Sequence, residues 1–145
     1  MGKAFLAAPL VVTLAVCSDA TGPDRELAVA RARWAQRGPT SYSITVAHLC
    51  FCLGVGPAVV TVRNGVVESR HYTRDGAPVP STHADMFPSV EGLFEKIEAA
   101  RSEKVTRVSV SYDPTFGYPV RIALDYSSEY ADDEVTYEAT DLVAR

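Results

Sequence analysis

The chain has 145 residues, 47% hydrophobic and 22% charged, with a net charge of −4. That length suits one globular domain, and the ordinary apolar fraction excludes disorder as a global state. No run of 18 apolar residues occurs, which excludes a multi-pass helical membrane protein, and the acidic balance argues against a nucleic-acid binder.

Residues 1–16 have the pattern of a secretory signal peptide. Lys3 supplies a minimal basic start, and Ala4 to Val16 form a 13-residue apolar run, an ordinary length for such a segment but short of a bilayer span. The run ends in Leu14-Ala15-Val16-Cys17, similar to a bacterial lipobox, so lipidation at Cys17 is expected. Val16 stands where such boxes carry a small residue, and the alternative is ordinary cleavage after Ala20, which would discard Cys17. A buried core helix is a poorer reading, because Pro9 would sit mid-helix. Cleavage before Cys17 removes Lys3 and leaves 13 basic residues against 18 acidic ones. Residues 17–23 then form a linker, and residues 24–143 form the single domain.

Pro23 to Arg37 is predicted to be helical. Thr21 or Asp24 can cap it, Pro23 suits the first turn, and Gly38-Pro39 stops it. Leu27, Ala30 and Trp34 make one apolar stripe, with Trp34 as a core anchor. Tyr42 to Cys52 alternates with period two, placing Tyr42, Ile44, Val46, His48, Cys50 and Cys52 on one face. Ala58 to Arg63 and Val66 to Tyr72 flank Asn64-Gly65, a strong hairpin signal. Thr73 to Phe87 is polar and is predicted to be a loop. Ser89 caps a second helix with Val90, Leu93, Phe94, Ile97 and Ala100 at helical spacing. Strands over Thr106–Tyr112, Tyr118–Tyr126 and Glu134–Val143 complete the order.

That order is helix, three strands, helix, three strands, and the spacing suggests a duplication without any residue-level repeat. Clean alternation buries one sheet face, so the predicted architecture is α+β: two layers, about six antiparallel strands and two helices on one side. Trp34, Phe94, Ile97, Val110, Ile122 and Leu124 are the expected core. The open face would carry Ser43, Thr45, Ser109, Ser111, Arg121, Asp125, Thr136 and Glu138, a solvated surface or a platform for an envelope protein.

Several motifs carry a family resemblance. Trp34, Tyr42, Cys50-Phe51-Cys52, Asn64-Gly65, Leu93-Phe94 and above all Tyr112-Asp113-Pro114-Thr115-Phe116-Gly117-Tyr118-Pro119 occur in that order. The chain resembles an uncharacterised bacterial family, domain of unknown function 6174, over about Asp24 to Asp141; Asp132-Asp133-Glu134 also fits. The resemblance implies an exported protein or lipoprotein and brings no activity. No role passes to His48.

Cys50-Phe51-Cys52 is the one candidate reactive constellation. Two thiols this close in an exported protein should oxidise, although residues i and i+2 of a regular strand lie near the upper limit for a disulfide. Gly54 and Gly56 suggest that the strand already breaks there. A Cys50–Cys52 bond that locks local shape is therefore expected, and it closes too small a loop to add much stability. Thiol exchange and a His48–Cys50–Cys52 metal site lacking a fourth ligand are the alternatives. Asp132-Asp133-Glu134 with Asp125 offers oxygen ligands for Ca²⁺, but a solvated acidic turn explains it better without a glycine-turned loop. Asp113 fits a turn. His48, His71 and His83 lie in no nucleophile motif.

The expectation is an exported, lipid-anchored cell-envelope accessory or binding domain without catalytic activity, needing no cofactor. Its expected partner is the membrane, through a lipid on Cys17, with an envelope protein on the polar sheet face as a further candidate. A soluble secreted form is the alternative location. A periplasmic thiol–disulfide or metal-handling factor using Cys50 and Cys52 is the alternative function.

Overall fold

The computed structural model of the chain describes residues 22–51, 54–103, 105–127 and 134–145. The first helix, α1, spans Pro23–Arg37, but its start differs from expectation. Gly22, rather than Asp24, is the N-cap and makes no side-chain bond; its carbonyl accepts from the amides of Arg25 and Glu26 at 3.0 and 3.3 Å. The Asp24 carboxylate is drawn away to Arg101. Thr21 lies outside the described residues. Gly38 ends the helix as predicted, its amide donating to the Trp34 carbonyl at 2.7 Å.

Strands β1 (Tyr42–Cys50), β2 (Ala58–Arg63), β3 (Val66–Tyr72), β4 (Arg107–Tyr112), β5 (Pro119–Asp125) and β6 (Glu134–Ala144) follow, with helix α2 over Val90–Ser102 between β3 and β4. They form one sheet in the order β3-β2-β1-β6-β5-β4, and every pairing is antiparallel. The predicted α+β class and element order hold. At the first hairpin Asn64 and Gly65 both take positive φ (51° and 77°), which matches the twist of the strands they join.

The strand order alone would allow a tandem repeat, β3-β2-β1 then β6-β5-β4. The suggested duplication fails because β4 runs opposite to β1 while both helices cover one face, which no rotation of one half onto the other gives. Symmetry about the central β1–β6 pair would match β1 with β6 and β2 with β5, the reverse of chain order, whereas tandem copies must match β1 with β4. The spacing reflects two three-strand meanders joined at their first and last strands. They are also staggered: β2 pairs with Tyr42–Val46, while β5 pairs with Glu134–Glu138 at the opposite end of the central pair.

Both helices cover the same face. Trp34 meets Tyr42 of β1 edge-on at 5.4 Å, and Phe94 stacks on Tyr112 of β4 at 6.5 Å. Trp34, Phe94, Ile97, Ile122 and Leu124 are buried as expected. Val110 is only partly buried, as are Val108 and Tyr112, because β4 is an edge strand with a neighbour on one side. Tyr126, expected on the inner face, lies past the end of β5 and is 47% exposed.

The segment Thr73–Phe87 is more ordered than the predicted loop. Ser81–Met86 form a 3-10 helix, and the amides of Tyr72 and Val79 bond Ala77 and Arg70 carbonyls, which covers part of the β3 edge. Phe87 is fully buried against Tyr72. No helix among the described residues is long and apolar enough to cross a membrane.

Candidate functional site

Glu91 sits in the first turn of α2, where the helix dipole favours a carboxylate and Ser89 caps the Gly92 amide at 3.2 Å. One Glu91 oxygen accepts from the Trp34 indole N–H at 3.0 Å, the other from the Tyr42 hydroxyl at 2.9 Å. The Tyr42 oxygen in turn accepts from the Val90 amide. Burial, with the Glu91 charge beside it, holds the Tyr42 phenol far above its ordinary range, so Tyr42 remains a donor at any physiological pH. One carboxylate thus ties α1, α2 and the middle of the sheet together.

Two grooves meet at Glu91. One of 500 Å³ includes Arg70, Asp85 and Lys96 in its walls; the other, of 310 Å³, includes Trp34, Pro39 and Phe94. Sequence reasoning missed Glu91, because a glutamate at that helical position looks like a dipole partner facing water. Its two bonds come from 57 and 49 residues away.

The octet Tyr112–Pro119 is a docked turn. One Asp113 carboxylate oxygen accepts from the Thr115 and Phe116 amides, and the Asp113 main chain bonds both Gly117 and Tyr118. Gly117 has φ 84°, and a Cβ there would fall 2.5 Å from the Ala30 carbonyl oxygen of α1. Arg33 reaches back to the Pro114 carbonyl at 3.1 Å. Asp113 is therefore occupied in holding the turn, in line with its expected role.

At the far end of β1, His48 Nδ1 lies 3.5 Å from Cys50 Sγ and its ring packs edge-on to Tyr137 at 4.9 Å. Burial first, then the nearby Lys96 charge, lowers the His48 pKa and favours the neutral imidazole. Burial pushes the Tyr137 phenol up to about 12. Cys52, Cys17, Asp132 and Asp133 lie outside the described residues. Among the described residues no group of three or more metal-ligating side chains comes together.

Among the described residues, no helix covers the face opposite α1 and α2. The register aligns Thr45 with Thr140, Ala47 with Glu138, and Leu49 with Thr136; Arg121 and Ala123 of β5 continue the last two rows. Ser109, Ser111, Arg121, Asp125, Thr136 and Glu138 are accessible as predicted. Ser43 is the exception at 6% exposed, because it lies between β2 and β6 with Thr61 and Val143 opposite it. Arg121 and Glu138 form a cross-strand ion pair at 2.6 Å. A shallow depression of 200 Å³ lies on the β4–β6 side, with Arg107, Asp125 and Glu134 in its walls. The sequence reading missed Thr61 of β2 and Thr140 of β6, which the strand pairing sets opposite Ser43 and Thr45.

A model of the family of unknown function DUF6174 matches residues 26–144. No curated protein and no solved structure matches the chain.

Proposed function

The chain belongs to the DUF6174 family, and we propose that it is an exported, lipid-anchored accessory domain of the cell envelope that binds a partner without catalysing a reaction. The carrying observation is the asymmetry of the sheet: both helices pack on one face, and the other, among the described residues, presents short hydroxyl side chains and the Arg121–Glu138 ion pair to solvent, with Leu49 at one end. A flat face of Thr45, Thr136, Thr140, Ser109 and Ser111 offers donors and acceptors at little entropic cost, because short side chains lose little rotamer freedom when ordered. Glu91 and Asp113, which a catalytic reading would recruit first, are committed to bonds that hold the helices and the β4–β5 turn. Anchoring rests on the apolar run that ends at Cys17. We assign the Cys50–Cys52 pair a disulfide that stiffens the exit of β1.

The test has three readouts on the full chain produced in a bacterial host. Intact mass should show an acylated N-terminal Cys17, and Cys17→Ala should leave the membrane fraction. A photo-crosslinker at Thr136 or Ser109 should give adducts that one at Glu98, on the helical face, does not. Unreduced mass should account for Cys50 and Cys52 as a bond. Free thiols carrying stoichiometric metal, or turnover of a model disulfide, would favour the thiol or metal-handling reading instead.

A further inference from the structure

Three of the large apolar side chains left in water lie toward one end of the sheet, two at the end of β1 and one two strands away. Phe51 is 83% exposed, Leu49 49% and Tyr126 47%. Their common position follows from the register. Cys50 pairs with Val135, Val135 with Leu124, and Leu124 with Val108, so these four residues form one row across β1, β6, β5 and β4. Phe51 is one residue beyond that row on β1, and Tyr126 is two beyond it on β5. Val66 and Val143 project at the opposite end, beside Arg63 and Ser43.

The start of α1 points to the same end. Arg101, in the last turn of α2, bonds the Asp24 carboxylate at 2.9 Å and the Pro23 carbonyl at 3.0 Å. A few residues later the chain enters β4 at Arg107, which pairs with Asp125. Four residues lie between Cys17 and Gly22, and the five steps of a fully extended chain span at most about 18 Å. A lipid on Cys17 would therefore hold this end, and not the Val66 end, against the bilayer.

We propose that the Phe51 tip, continued by Leu49 of the adjoining strand β1, is a second membrane contact that enters the bilayer interface and fixes the domain's orientation. This rests on the lipid-anchored reading above. Aromatic side chains suit that zone, since it takes up their apolar body without demanding burial of charge. Asp125 and Glu134 pair across the neighbouring row, so the tip suits a zwitterionic surface better than an anionic one. With the tip in lipid, the open face stands along the membrane normal and stays accessible to an envelope partner.

The test uses full chain purified from membranes and reconstituted on phosphatidylcholine vesicles with brominated acyl chains. Phe51→Trp should add fluorescence that is blue-shifted and quenched by bromine, while wild type, with Trp34 alone, is not quenched. Val66→Trp should give unquenched, water-exposed emission. Phe51→Ser in the Cys17→Ala background should lower residual vesicle binding on the order of tenfold, the scale of losing one buried aromatic. Intact mass on each sample separates the two claims. A lipidated Cys17 with an unquenched indole at position 51 overturns the tip alone, including where a protein covers it and the emission is blue-shifted without quenching. A chain without lipid on Cys17 overturns both.

Discussion

Gly117→Ala tests whether the Tyr112–Pro119 turn is a docking device. Two separate costs are visible. At φ 84° an alanine occupies left-handed backbone, worth about 1–2 kcal/mol. Its methyl would also stand 2.5 Å from the Ala30 carbonyl oxygen and 3.0 Å from the Arg33 Cβ. Both atoms belong to α1, so neither can move without shifting a helix, and such overpacking costs about 1–3 kcal/mol. The sum is roughly 2–5 kcal/mol. Gly76→Ala supplies the control: its φ is 70°, yet nothing lies within 4 Å of the added Cβ, so only the backbone cost of about 1–2 kcal/mol applies. Urea unfolding of both variants, followed by far-UV circular dichroism, gives the difference directly. Equal losses for the two would show that the turn does not press on α1, and the structural account of Asp113 would fall with it.

Three further outcomes are expected. Glu91→Ala removes the acceptor for two donors and should cost about 3 kcal/mol, since bonds to a charged group contribute about 1.5–3 kcal/mol each and some water returns; Glu91→Gln should lose less, and a loss under ~1 kcal/mol for alanine would deny Glu91 its joining role. Phe94→Ala should cost about 3–5 kcal/mol, against about 1 kcal/mol for Val110→Ala at the half-covered edge strand; the reverse ranking in the same unfolding assay would mean that α2 does not pack on the sheet. The lowered His48 pKa means that, just below pH ~6.5, the unfolded chain binds a proton that the folded chain refuses. Stability should therefore fall as pH drops through that window and be unaffected above it, and His48→Gln should flatten the slope in unfolding curves taken across it.

The elements that could be read from the sequence are those whose cause is local. α1, β2 and β3 have their expected bounds and α2 its expected Ser89 cap, because prolines, caps, the Asn64-Gly65 turn and apolar periodicity all act within a few residues. What depends on distant partners was not readable. Gly22 stands at the cap because the helix already begins at Pro23, which leaves Asp24 inside the first turn, where its carboxylate meets Arg101, 77 residues away. Val110 has the same alternation as Ile122, and only the position of β4 at the edge leaves it half-covered. Ser43 looks like any solvent-facing serine until β2 and β6 flank it, with Thr61 and Val143 opposite.

The same division explains why the octet was the most specific motif and the least functional one. Its chemistry is satisfied within itself and against α1: Asp113 holds two amides, Gly117 lets the turn approach the helix, and Arg33 closes on Pro114. A run of residues that must meet so many local conditions is distinctive in sequence whatever the domain binds. The candidate binding face has the opposite character. Its serines and threonines answer to no local requirement beyond alternation, and they share a face only because β1 and β6, the first and last strands, pair at the centre of the sheet. The exposed aromatic of Cys50-Phe51-Cys52 falls between these cases. A disulfide across it would need only the bend that begins at residue 51, and that requirement is met equally well by serine or alanine at the middle position. The proposed lipid contact would give the phenylalanine, 83% exposed, a use that the disulfide does not require, within reach of a tether from Cys17.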